Sequence, residues 1–176
     1  MVFFGFKGQL AQHRDRLYRL ALSWCGDSML ADDLVQDALS KAIRKKDQLR
    51  DREKFEPWLF RILHNCWMEY LRRNRPTTDI DSIEMIDELS PEVDAAKLEV
   101  IESVRYAIGL LPIGQRQVIT LVDLAELKYS EVAVILDIPV GTVMSRLSRA
   151  RISLKENLLH LKDTPVVKQP LLRRVK

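Results

Sequence analysis

The sequence predicts an all-α protein: two small helical domains joined by an acidic linker, the second containing a helix-turn-helix. Three observations lead there. Glycine and proline are few, 6 and 7 in 176 residues, and apolar residues recur at helical rather than alternating spacing. Composition switches after Arg75-Pro76: residues 77–95 contain no lysine or arginine but hold Asp79, Asp81, Glu84, Asp87, Glu88, Glu92 and Asp94. The stretch Tyr129–Arg151 reads as two short helices meeting at a steep angle.

The first domain (1–76) opens with a helix striped by Leu10, Leu17, Leu20, Ala21 and Trp24. Gly26-Asp27-Ser28 supplies a break and a cap. The next helix runs from about Met29 to Lys45, with Leu30, Leu34, Val35, Ala38, Ala42 and Ile43 inward. Its outer face begins with Asp32, Asp33, Gln36 and Asp37 and ends with Lys41, Arg44 and Lys45. Acids first and bases last suit the helix dipole, and Asp37–Lys41 is a favourable four-apart pair. A charged loop, 46–54, leads to Phe55-Glu56-Pro57, with Pro57 suited to a first helical position. Trp58, Leu59, Ile62, Leu63, Cys66 and Leu71 stripe the third helix.

In the linker (77–95), Ile80, Ile83, Met85, Ile86 and Leu89 interrupt the acids. That fits a segment that docks, and equally a solvated tether. The second domain (96–163) starts with a stripe of Leu98, Ile101, Val104 and Ile108, then a helix over about 114–124. In the helix-turn-helix, Ser130 is the expected cap, and Val132, Ala133 and Leu136 form the first apolar face. Pro139 stops that run, and Gly141 and Thr142 open the second helix. Val143 and Leu147, four apart, pack inward, which leaves Ser145, Arg146, Ser148 and Arg149 on other faces. Hydroxyls and arginines on a braced helix suit the DNA major groove, where arginine reaches guanine with two bonds. An ordinary helical hairpin with a solvated basic face has the same pattern. The tail (164–176) is basic.

Composition excludes several classes. At 47% hydrophobic and 30% charged, the chain has the balance of a globular protein. A formal charge of +3 and a pI of about 8.9 are only mildly basic, so local charge must carry any nucleic-acid argument. Cys25 and Cys66 form no CxxC pair, and His13, His64 and His160 no ligand spacing, so no metal or other cofactor is expected. A glycine-rich phosphate loop and a nucleophile with its base are both missing, so no enzyme is expected. The apolar start is broken by Gly5, Lys7 and Gly8 and does not read as a signal peptide; no apolar run would span a bilayer. A cytoplasmic protein is expected.

Four blocks, in order, carry a resemblance: DDLVQDALSKAI (Asp32–Ile43), WLFRILHNCWMEYLRRNR (Trp58–Arg75), LLPIGQRQVITL (Leu110–Leu121) and DIPVGTVMSRLSRAR (Asp137–Arg151). Together they resemble bacterial RNA polymerase sigma factors of the extracytoplasmic-function type, over nearly the whole chain. The resemblance implies a non-catalytic initiation subunit whose partners are core RNA polymerase, promoter DNA and an anti-sigma factor, with no small-molecule substrate. It implies that Asp33, Gln36 and Asp37 dock on basic clamp helices of the largest core subunit. Charge pattern alone would leave them a solvated face. For the minus-ten element it implies phosphate contacts by Arg61, Asn65, Arg72 and Arg73, and base stacking by Trp67. Phe55 and Trp58 are further stacking candidates, although aromatics at helical spacing are usually core. The 46–54 loop resembles the one that receives a flipped promoter base, and the linker is implied to thread the polymerase cleft. Thr142, Ser145, Arg146, Ser148 and Arg149 match positions that read the minus-thirty-five element. Met144 departs from the pattern, standing where lysine or arginine is common. A free-standing helix-turn-helix regulator is the alternative; it explains residues 110–151 but leaves the acidic face idle.

Overall fold

The structure is a computed structural model that describes residues 5–74 and 95–163. The readings made on residues 1–4, on the linker from 75 to 94 and on the tail from 164 lie outside it. All regular structure among the described residues is helical. The first half holds α1 (Phe6–Cys25), α2 (Ser28–Arg44) and α3 (Phe55–Arg73). The second holds α4 (Ala95–Gly109), α5 (Ile113–Ile119), α6 (Tyr129–Leu136) and α7 (Val140–Asp163).

The break between α1 and α2 is built from two residues. Gly26, at φ 71°, adopts the left-handed conformation that ends α1, its N–H bonded to Leu22 O. Asp27 then caps α2 by accepting the Leu30 N–H at 2.8 Å. Leu17 and Ala21 from α1, Val35 and Ala38 from α2, and Leu59 and Leu63 from α3 have no exposed surface. Each buried leucine of this kind contributes about 1.5–3 kcal/mol. Ile43, expected inside, is 43% exposed, which corrects its place in the stripe. Pro57 stands third in α3 rather than first, still within the turn whose N–H groups have no helical partner.

In the second half Val118, Leu121, Val132, Val143 and Ala150 are fully buried. Ile101 is 39% exposed, which corrects its place in the stripe. The expected single helix over 114–124 changes pitch: α5 ends at Ile119 and Thr120–Leu124 forms a π turn. Ser130 is not the cap of α6. The helix starts at Tyr129 with Lys128 at the cap, two residues earlier than expected, and Glu131 Oε2 accepts from the Lys128 N–H at 2.8 Å. Asp137, at φ 55°, closes α6 in the left-handed conformation, and the chain enters α7 through Pro139.

The halves pack on one another. α3 lies against α6, α1 touches α4 and α5, and the buried apolar residues form one continuous cluster.

Candidate nucleic-acid and docking surfaces

The start of α7 is fixed from its inner side. Val143 and Leu147 are 0% and 3% exposed, so the helix cannot rotate, and Ser145, Ser148 and Arg149 face outward. Thr142 and Arg146 are half-buried. The Ser145 hydroxyl donates to Thr142 O at 3.1 Å, and Arg149 Nε donates to Ser145 O at 3.2 Å, which orients both on the exposed face. Arg146 behaves differently. Its guanidinium lies over α5 at Gly114, where an added Cβ would stand 3.0 Å from a terminal nitrogen. Gly114 is therefore a seat for Arg146. Arg151 turns to Asp123 at 2.6 Å, and that carboxylate holds the guanidinium pKa above its ordinary value.

On α2, Asp33, Gln36 and Asp37 are exposed and one helical turn apart, as a docking face requires. Asp33 has no ion pair among the described residues. Asp37 pairs with Lys41 at 2.8 Å, and Lys41 crosses to Glu69 of α3 at 2.9 Å. Partial burial pushes the Asp37 pKa up, but the Lys41 ammonium, the Cys66 thiol and Arg44 together outweigh it and leave the carboxyl lower than usual. The same ammonium depresses Glu69. Cys66 lies beside Lys41, 3.6 Å from Nζ, and burial pushes its thiol up to about 11, so it stays protonated.

Along α3, Arg61, Asn65 and Arg72 share one exposed face, and Arg73, also exposed, pairs with Glu69. Trp67 does not join them. Expected to be available to unpaired bases, it is 2% exposed and stacked on Tyr70 with ring centroids 5.7 Å apart. Its indole N–H has no partner among the described residues. Phe55 is buried and Trp58 half-buried, the two rings 6.1 Å apart against the core, so both have the core place that helical spacing suggested.

A polar network escaped sequence reasoning. Arg116 is 7% exposed and donates to Trp24 O at 2.8 Å, to Leu111 O at 3.0 Å and to Gly109 O. Burial lowers its pKa. Trp24 Nε1 donates to Thr120 Oγ1 at 2.8 Å, and Gln117 Nε2 lies 3.2 Å from Nδ1 of buried His64. In sequence, Gln115-Arg116-Gln117 looks like surface. The available signal was that Arg116 stands three and four residues before Ile119 and Thr120, on the inward face of its helix.

Comparison with known proteins agrees with this geometry. Residues 10–77 match the Sigma-70 region 2 model and residues 101–154 the Sigma-70, region 4 model. The chain is 31% identical over 161 residues to the ECF RNA polymerase sigma factor SigW of Bacillus subtilis, covering 85% of this chain and 86% of that protein. It is 38% identical over 154 residues to the ECF RNA polymerase sigma-E factor of Escherichia coli K12, covering 81% and 75%. Among solved structures, the Bartonella quintana sigma factor RpoE, in complex with the anti-sigma factor NepR, superposes with a TM-score of 0.72 at 29% identity, covering 88% of this chain and 96% of that one. CnrH in complex with the cytosolic domain of CnrY superposes at 0.64 and 31% identity, covering 90% and 89%. A helix-turn-helix with a fixed, hydroxyl- and arginine-bearing face, an acidic face on α2, and relatives aligned along most of their length place this chain among the extracytoplasmic-function RNA polymerase sigma factors.

Proposed function

We propose that this sigma factor divides its work between residues 1–76 and 96–163, with 77–95 as the connecting linker and 164–176 as a basic tail. The observation that carries this reading is the segregation of charge. Acidic groups stand exposed on α2, and arginines stand on the exposed faces of α3 and α7. Asp33, Gln36 and Asp37 meet a basic surface of core RNA polymerase. Arg61, Asn65, Arg72 and Arg73 hold phosphates at the minus-ten element, where each neutralised phosphate releases counterions. Ser145, Ser148 and Arg149 read base edges of the minus-thirty-five element, while Thr142 and the seated Arg146 fix the helix against the backbone. Trp67 stacks on unpaired bases once it is uncovered.

The chain supplies specificity and the polymerase performs the chemistry, so it is itself no enzyme, and it works in the cytoplasm with the polymerase. Among the described residues no helix is long and apolar enough to cross a membrane. The solved relatives were captured with NepR and with CnrY. By analogy this chain is held by an anti-sigma factor of its own. Runoff transcription with purified core polymerase on a library of genomic fragments tests the reading. Promoter-specific transcripts that require Asp33 and Arg149 are the expected result, and transcripts indifferent to both would overturn it.

A further inference from the structure

The reading end of α7 carries an apolar flank beside its hydroxyls and its free arginine. Val143, Leu147 and Ala150 are 0%, 3% and 0% exposed and fix the rotation of the helix. With that rotation Val140 and Met144 stand 43% and 54% exposed, four residues apart and therefore stacked on one side. Ser148, also exposed, continues the same side one turn later. Arg149, five residues beyond Met144, is turned about 140° from it round the helix.

Charge does not compete for this flank. Arg146 lies over Gly114 of α5, and Arg151 is tied to Asp123 at 2.6 Å. Among the described residues of α7, the side from Val140 to Ser148 thus offers DNA two apolar side chains and a hydroxyl, and no cation. Such a surface gains nothing from a phosphate, whose charge would lose hydration against it. The base edges of the major groove hold one apolar group that suits it, the C5 methyl of thymine. Depth of insertion agrees. A recognition helix sets its N-terminal residues against base edges, and Val140 to Ser145 are the first six residues of α7.

We propose that Met144 is a specificity-determining residue that reads a thymine methyl in the minus-thirty-five element, with Val140 shielding the contact from water. The inference rests on the reading of α7 as the promoter-reading helix and names a base that its apolar flank selects. Methionine suits the task because an unbranched side chain with three rotatable bonds settles on a methyl without demanding one geometry. Cytosine in the same place is rejected, since its N4 amine would lose water against a thioether and gain no strong acceptor. The methyl stands on one strand of the pair, so the contact also tells T·A from A·T.

The test uses holoenzyme assembled from the full chain and core RNA polymerase. The probes are synthetic duplexes of the strongest promoter found by runoff transcription, with each thymine of the minus-thirty-five element replaced in turn by deoxyuridine. That replacement deletes the C5 methyl and keeps the base pair. One replacement should weaken binding about fourfold, the factor that corresponds to one buried methyl group. Met144→Ala should bind the thymine duplex weakly by a similar factor and be indifferent to that same replacement. The site is exposed, so the variant should fold, which circular dichroism checks. A minus-thirty-five element without thymine on either strand overturns the proposal, as does wild-type binding indifferent to every replacement. A Met144→Ala holoenzyme that keeps the fourfold dependence overturns it too, because another residue then reads the methyl. Each of these outcomes defeats the assignment of Met144 alone. A wild type that yields no promoter-specific transcripts defeats the functional reading beneath it.

Discussion

Arg146 and Arg149 leave the same helix and are held in different ways. Arg149 is exposed and tethered only to its own helix, so its guanidinium is free to reach a base edge. Arg149→Ala should cost about 1–3 kcal/mol of binding to a matched minus-thirty-five duplex and much less on a scrambled one. Equal losses on both duplexes, with a smaller salt slope, would reassign Arg149 to phosphate. The exposed residues of α7 were legible in sequence because one stripe, Val143 and Leu147, fixes the rotation of the helix. Trp67 and Arg116 were not legible. Trp67 is buried and stacked on Tyr70, and Arg116 meets a carbonyl 92 positions away, a partner of which local periodicity holds no record.

The acidic face of α2 is legible for a related reason: Ala31, Leu34, Val35, Ala38 and Ala42 form a continuous inward stripe, so the residues opposite it face out. What the pattern omits is how the face is held. Lys41 bridges Asp37 to Glu69, so part of the acidic charge is already neutralised and Asp33 carries the free share. Asp33→Arg alone should therefore abolish stable core binding, since a like charge across an interface costs several kcal/mol. Full retention in a pull-down, with normal circular dichroism, would remove α2 from the docking surface. Helix ends were legible where Gly26, Asp27 and Pro139 mark them, whereas the start of α6 depends on a backbone N–H that Glu131 reaches from inside the helix, and the π turn at 120–124 has no composition signal.

Across the whole molecule, His64 makes the contact between the halves sensitive to acid. Burial, aided by the nearby positive charge of Arg61 and opposed by Asp137, pulls its pKa from 6.5 to about 4. In the folded chain His64 is neutral at pH 7, with Nδ1 facing the Gln117 amide and the edge of the Trp24 ring beside it. A base with a depressed pKa contributes stability that is fully present above pH 6.5 and is lost as pH falls toward 4. The loss amounts to about 3 kcal/mol across that window. Denaturant midpoints of wild type should drop between pH 7 and pH 5, and those of His64→Gln should drop less. Parallel curves would show that His64 does not carry the effect. Asp37 and Glu69, already below the usual carboxylate range, lose their contributions only at lower pH.

One helix imposes a tolerance on all of this. α7 runs unbroken for 24 residues, a rod of about 36 Å, with the promoter-reading residues at one end. Beyond them Arg151 is tied to Asp123, and Asn157 donates to Ala107 O at 3.1 Å. Ser145 to Arg149 stand about 12–18 Å from the Asn157 contact, so a tilt of about 5° about it moves them by roughly 1–1.5 Å, close to half the length of a hydrogen bond. Aim, rather than reach, is then the scarce quantity. Val143 and Leu147 seat the reading end, and two modest contacts farther along the rod trim the angle at which its side chains meet a base pair.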